Sequence, residues 1–124
     1  MNPFTTIASI LAEILDRDPA EISPETFVIR TLEAESIDLL EIGVAMQHRL
    51  GIVVDDDLLF LKNVRIVLSR AQQTGTDQLC ALNFEYPHLS EDRLREILAD
   101  LPAGPVLRVG DLVAYALAAD RAGN

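Results

Sequence analysis

Apolar residues recur at helical spacing along much of this chain, and that spacing limits the fold more than any other feature. The run NPFTTIASILAEILDRD sets Ile7, Ile10, Leu11, Ile14 and Leu15 on one side of a helix. The run VGDLVAYALAAD does the same with Val109, Leu112, Val113, Ala116 and Leu117. Stripes of this kind are buried most readily against other helices. Leu, Ile, Val and Ala supply most of the 49% apolar content, aromatics are only 5%, and there is no Trp. The expectation is an all-α fold, and 124 residues suit a single domain.

Punctuation along the chain divides it further. Pro3 and the DRDPAEISPE segment bound the first helix. The loop that follows holds two prolines, and its Ile22, Phe27 and Ile29 should dip into the core. A second helix runs from about Ser36 to Leu50 and stops at Gly51. Asp55, Asp56 and Asp57 suit the start of a third helix over roughly Leu58 to Gln73, where carboxylates face the positive end of the dipole. TGTDQLCALNFEYPHL reads as irregular. Ser90 then caps a short helix with Glu91 and Asp92 in its first turn, and PAGP ends it before the last helix.

The second helix has apolar residues on two sides. At about 100° per residue, Leu39, Ile42, Met46 and Leu50 gather on one side, and Ile37, Leu40 and Val44 gather almost opposite. Asp38, Glu41, His48 and Arg49 fill one flank between them. A surface helix needs one stripe. The second stripe means either a central helix packed on both sides, or an exposed apolar patch that partners cover. Ser36, at the helix start, has two readings as well. It is a good N-cap, but Glu35 could cap in its place, and a phosphate on Ser36 would meet free backbone N–H groups.

Charge bears on that choice. The net charge is -10, and residues 1–57 hold twelve acids against three bases. Such a surface repels nucleic acid and anionic lipid, and it either favours protein partners rich in Lys and Arg or serves solubility alone. Cys80 is the only cysteine, so no intrachain disulfide forms, which suits a cytoplasmic setting. No signal peptide and no membrane-length apolar run is expected. Cys80 between Leu79 and Ala81 reads as a buried structural cysteine rather than a nucleophile served by His48 or His88. The three Asp lack the spacing of a calcium loop, so no metal site is expected.

The stretch LEAESIDLLEIGVAMQHRLGI resembles the second-helix region of acyl carrier proteins. Leu32 matches that family's leucine, and Glu35-Ser36-Ile37 stands where Asp-Ser-Leu is usual. Glu41 matches a docking acid, Leu50-Gly51-Ile52 the turn, and Val109-Gly110-Asp111 a run at the start of the final helix. The resemblance covers roughly 3–57 and 106–120. It implies an acyl-carrier-like four-helix bundle without catalysis of its own, a monomer modified by a separate phosphopantetheinyl transferase. Ser36 would hold 4′-phosphopantetheine, drawn from coenzyme A, whose thiol carries acyl groups. Glu35, Ile37, Asp38, Leu40, Glu41, Val44 and His48 would form the docking surface for acyl-handling enzymes with basic surfaces. A peptidyl or aminoacyl carrier, or a helical adaptor lacking the arm, are the alternatives.

The departures from the family are specific. Glu35 replaces Asp, and Glu33 replaces a frequent Gly. Gln47, His48 and Arg49 stand where fatty-acid carriers are strongly acidic, which points to a specialised lipid, fatty-acid or secondary-metabolite pathway. The interval before the last helix is much longer than usual. This insertion, about 61–105, is expected to add an extra helix and a loop. Its Leu82, Phe84, Tyr86 and Leu89 would pack as a flap, bordering an acyl cavity, forming a docking surface, or merely enlarging the core.

Overall fold

The computed structural model describes residues 2–122. Among them are seven α-helices and two short 3-10 turns: α1 Pro3–Leu15, α2 Ser36–Leu50, α3 Asp56–Leu59, α4 Val64–Thr74, α5 Gln78–Glu85, α6 Glu91–Asp100 and α7 Val109–Ala122. α1 packs on α2 and α7, and the single turn of α3 sits between α2 and α7. α4, α5 and α6 follow one another as a chain of packed neighbours. One continuous apolar core runs through both groups, from Ile7, Leu11, Ile42 and Met46 to Leu82, Leu94 and Ile97.

The long loop between α1 and α2 is fastened at both ends. Arg17, just past α1, donates to the Leu32 carbonyl at 3.3 Å and pairs with Glu33. Further back, the Val28 N–H donates to Leu107 O at 3.0 Å, and Val109 N–H to Thr26 O at 2.9 Å, around one antiparallel bridge between Phe27 and Arg108. Gly110 N–H then donates to Pro24 O at 2.8 Å. A Cβ at Gly110 would lie 3.0 Å from that same oxygen, so only glycine allows the approach without a shift. Val28, not its neighbours, is the fully buried residue of this loop. Ile22 is buried as expected, but Phe27 is half-buried, with the guanidinium carbons of Arg30 and Arg108 at 4.3 and 5.0 Å from its ring centroid.

Two helix assignments are corrected. The expected third helix is two, α3 and α4, with Leu61 between them at φ 55. Leu59, Phe60 and Leu61 are all buried. Three successive helical residues span about 200° of a helix surface, so burying all three requires the chain to leave the helix. The segment read as irregular contains α5, whose N-cap Asp77 accepts from Cys80 N at 3.0 Å. The insertion therefore holds three helices rather than one helix and a loop.

The insertion is joined to the carrier-like helices through a buried ion pair. Arg93 of α6 donates from Nε and Nη2 to Asp111 Oδ1 and Oδ2 at 2.7 and 2.9 Å, and from Nη2 to Val106 O at 2.6 Å. Asp111, 2% exposed, also accepts from Arg108 N–H at 2.8 Å, which closes the first turn of α7. At the other end of α7, Tyr115 OH donates to Val53 O and accepts from Asp55 N–H, holding the segment that follows α2.

Candidate functional site

The start of α2 settles which residue caps it. Glu35 is the N-cap and Ser36 the first helical residue. The Glu35 N–H donates to Asp38 Oδ2 at 2.8 Å, and the Glu35 carbonyl accepts from Leu39 N–H at 3.0 Å. Ser36 is thereby freed from the capping role. It is exposed, and its hydroxyl has no hydrogen-bond partner among the described residues. The first N–H groups of a helix have no intrahelical acceptor, so the space beside this hydroxyl suits an anionic phosphodiester.

The two sides of α2 divide as one stripe buried and one exposed. Leu39, Ile42 and Met46 are buried. Ile37, Leu40 and Val44 are 64%, 54% and 70% exposed. The central-helix reading is therefore overturned: no neighbouring helix covers the second stripe. Asp38 is half-buried beside it, and Glu35, Glu41 and His48 are exposed. Arg49, on the same flank, is tied to Glu13 of α1 at 3.2 Å. Of the seven residues expected at the docking surface, Glu35 and Asp38 lie at the helix start with Ser36, Ile37, Leu40, Glu41 and Val44 follow along the exposed side, and His48 is in the last turn, away from Ser36.

Beside this helix is a groove of about 310 Å3, lined by Leu39, Ile29, Phe60, Leu61, Lys62 and Arg65 among others. Leu39 is one turn on from Ser36. The insertion does border this groove, but through the start of α4 and the 101–105 segment. The expected flap does not: Tyr86, Leu82 and Leu89 are sealed in the core, and burial pushes the Tyr86 phenol up to about 12. Phe84 is 88% exposed and lines a separate groove with Cys80 between α4 and α5.

Cys80 itself is exposed, against the expectation of burial. The hydrogen bond and charge of Asp77 raise its thiol pKa, which makes it a poorer nucleophile at neutral pH. His88 stands between the rings of Tyr86 and Tyr115, away from that thiol's groove, and burial lowers its pKa. Asp55 is engaged as the cap of α3, accepting from Asp57 and Leu58 N–H. Among the described residues no group of His, Cys, Asp and Glu is arranged to hold a metal ion, and no helix is long and apolar enough to cross a membrane.

A family model described as a phosphopantetheine attachment site matches residues 5–66. The chain belongs to the acyl carrier protein family. The acyl carrier protein of Helicobacter pylori (strain G27) is 32% identical over 57 residues, 46% of this chain and 73% of that protein. That of Thermobifida fusca (strain YX) is 35% identical over 68 residues, 54% of this chain and 86% of that one. No solved structure matches. The family's members are carriers rather than catalysts, and their cofactor is covalent 4′-phosphopantetheine. The matched region ends inside α4, so the rest of α4 and all of α5, α6 and α7 lie outside the matched residues.

Two contributors to the site were missed from sequence. Lys62 and Arg65 line the groove beside Leu39, and only their placement after the break at Leu61 brings them there. Asp111 was noted as part of a motif, but its partner Arg93 was not singled out.

Proposed function

We propose that Ser36 carries 4′-phosphopantetheine as a phosphodiester and that the chain presents thioester-bound acyl groups to partner enzymes of a specialised pathway. The observation that carries this reading is the exposed, unbonded Ser36 hydroxyl at the first position of α2, released from capping by the Glu35–Asp38 pair. The arm's thiol would supply the acyl-carrying chemistry. Everything else falls to the chain's own residues. Ser36 Oγ is the nucleophile: it bonds to the pantetheine-bearing phosphorus of coenzyme A as the pyrophosphate P–O bond breaks and adenosine 3′,5′-bisphosphate leaves, and a separate transferase takes the hydroxyl proton, since no base among the described residues bonds to it. Backbone N–H groups at the helix start then lie against the phosphodiester. Ile37, Leu40 and Val44 give a small apolar contact, and Glu35, Asp38 and Glu41 steer basic enzymes toward it. A small patch favours the rapid release a carrier requires.

The apolar groove beside Leu39 is the natural place for the cargo to shelter between enzymes. We read the protein as a cytoplasmic monomer and a single carrier domain, with the insertion an elaboration of it. The test is intact mass after incubation with coenzyme A and a broad-specificity transferase. Wild type should gain one arm's increment and Ser36→Ala none, with unchanged circular dichroism. An equal increment on Ser36→Ala would move the attachment point elsewhere. No increment on either with several transferases would leave a helical adaptor.

A further inference from the structure

The cations of this chain are not distributed evenly between paired and unpaired. Arg17, Arg30, Arg49, Arg93, Arg95 and Arg108 each lie within 4.0 Å of a carboxylate oxygen. Lys62, Arg65 and Arg70 form no ion pair among the described residues. All three lie at or in α4, and residues 58–76 contain no acid at all, in a chain whose net charge is -10. Lys62 rests over the Phe60 ring, and Arg65 donates only to the Leu101 carbonyl at 3.3 Å. Positions 65, 66, 69, 70 and 73 fall on one side of the helix and are all exposed, and Lys62, just before the helix, is exposed too. In the middle of that side is Ile66, 53% exposed.

This face has the chemistry of the α2 docking face with the sign reversed: a bare apolar residue ringed by charge that no described residue neutralises. The start of this face borders the buried side of α2. Lys62 and Arg65 line the same groove as Leu39, one turn from Ser36. The field of exposed cations such as these is felt over about 8 Å, the Debye length at physiological salt.

We propose that the exposed α4 face is a second docking surface, and that the acyl-handling enzyme served by this carrier meets α2 with basic groups and α4 with an acidic patch. This rests on the carrier reading of Ser36. The acidic patch is the occupant that charge complementarity selects, since unpaired cations on an otherwise anionic molecule attract carboxylates. The same cations repel enzymes whose docking surface is basic throughout, so α4 discriminates by repulsion as well as attraction.

The test uses the full chain and a broad-specificity phosphopantetheinyl transferase with a uniformly basic docking surface. Reversing the face with Arg65→Glu and Arg70→Glu should raise kcat/KM for arm attachment about threefold or more at low salt, an effect of long-range steering. The gain should shrink at about 0.5 M salt, where screening is strong. Arg65→Gln with Arg70→Gln should give a smaller gain, which guards against misfolding of the reversed variant. Acidic substitutions at the transferase rim that faces α4 should restore the preference for wild type. Attachment at equal rates to wild type and both variants would overturn the inference while leaving the carrier reading intact. Absence of the arm from every chain, with Ser36→Ala no different, would remove the carrier reading and the inference with it. A dimer of wild type in sedimentation, lost in Arg65→Glu/Arg70→Glu, would assign the face to a second copy instead and would also overturn it.

Discussion

The starts of α2 and α7 are built the same way. In each, the N–H of the residue before the helix donates to a carboxylate three positions later, at 2.8 Å: Glu35 to Asp38, and Arg108 to Asp111. The surroundings differ. Asp38 is partly exposed and forms no ion pair. Asp111 is buried and gripped by two donors of Arg93. One local device therefore serves two ends. At α2 it closes the helix without using Ser36 and leaves the serine exposed. At α7 it is drawn into the interior and holds the insertion against the carrier helices. The carboxylate alone does not decide which; the presence of an arginine on a neighbouring helix does.

The sharpest way to break this comparison is to remove each carboxylate. Asp111→Ala leaves the largely buried Arg93 guanidinium with only the Val106 carbonyl and the exposed Glu96 carboxylate at 3.6 Å, and should cost about 3 kcal/mol. Asp38→Ala removes a surface cap interaction and should cost about 1 kcal/mol. Urea unfolding with a common m-value measures both. A cost for Asp111→Ala no larger than that for Asp38→Ala would mean the insertion is not held through this pair.

A second, smaller effect probes the same hub through pH. His88, packed between Tyr86 and Tyr115, has its pKa lowered in the folded state, first by burial, with the charge of Asp111 opposing. The folded protein therefore binds a proton at this ring less readily than the unfolded chain does. The stability that neutral His88 contributes is present above the unfolded value near 6.5 and declines as pH falls through the lower folded value. His88→Gln should flatten that part of the stability–pH curve. Equal slopes in wild type and His88→Gln between about pH 6.5 and 5 would show that the ring is not the titrating group.

What could be read in advance follows from where each helix puts its apolar residues. α2 and α7 each bury a stripe against α1, and α1 buries its own against both, so their positions were legible, although Leu117 at the edge of the α7 stripe is 42% exposed. The segment QLCALNFE has apolar residues on all sides, and only Leu82 of them is buried, so no stripe announced α5. Its one usable signal was Asp77 as a cap. The break at Leu61 was hidden for the opposite reason: Leu59, Phe60 and Leu61 are all wanted by the core, and a periodic pattern cannot express that. At the site, Ser36 and its acidic, apolar neighbours were legible because they are contiguous in one helix. The unpaired state of Lys62, Arg65 and Arg70 was not, because it depends on where every carboxylate in the chain ends up.

The loop before Ser36 offers the finest distinction between the two helix starts. Glu33 stands at φ 60, in the left-handed region, and its family counterpart is often Gly. A residue with a Cβ is strained there, whereas Gly adopts the conformation freely. Glu33 also pairs with Arg17 at 3.3 Å, but its side chain is 79% exposed, so that pair adds little. Glu33→Gly exchanges a weak surface contact for relief of backbone strain, against which Gly's greater freedom in the unfolded chain must be set. The result should be a change within about 1 kcal/mol, stabilising in sign. Arg17 would keep its bond to the Leu32 carbonyl, so the approach of the loop to Ser36 should persist and arm attachment should proceed at the wild-type rate. A marked loss of attachment in a well-folded Glu33→Gly chain would show that the Arg17–Glu33 pair, rather than the backbone alone, orients the start of α2.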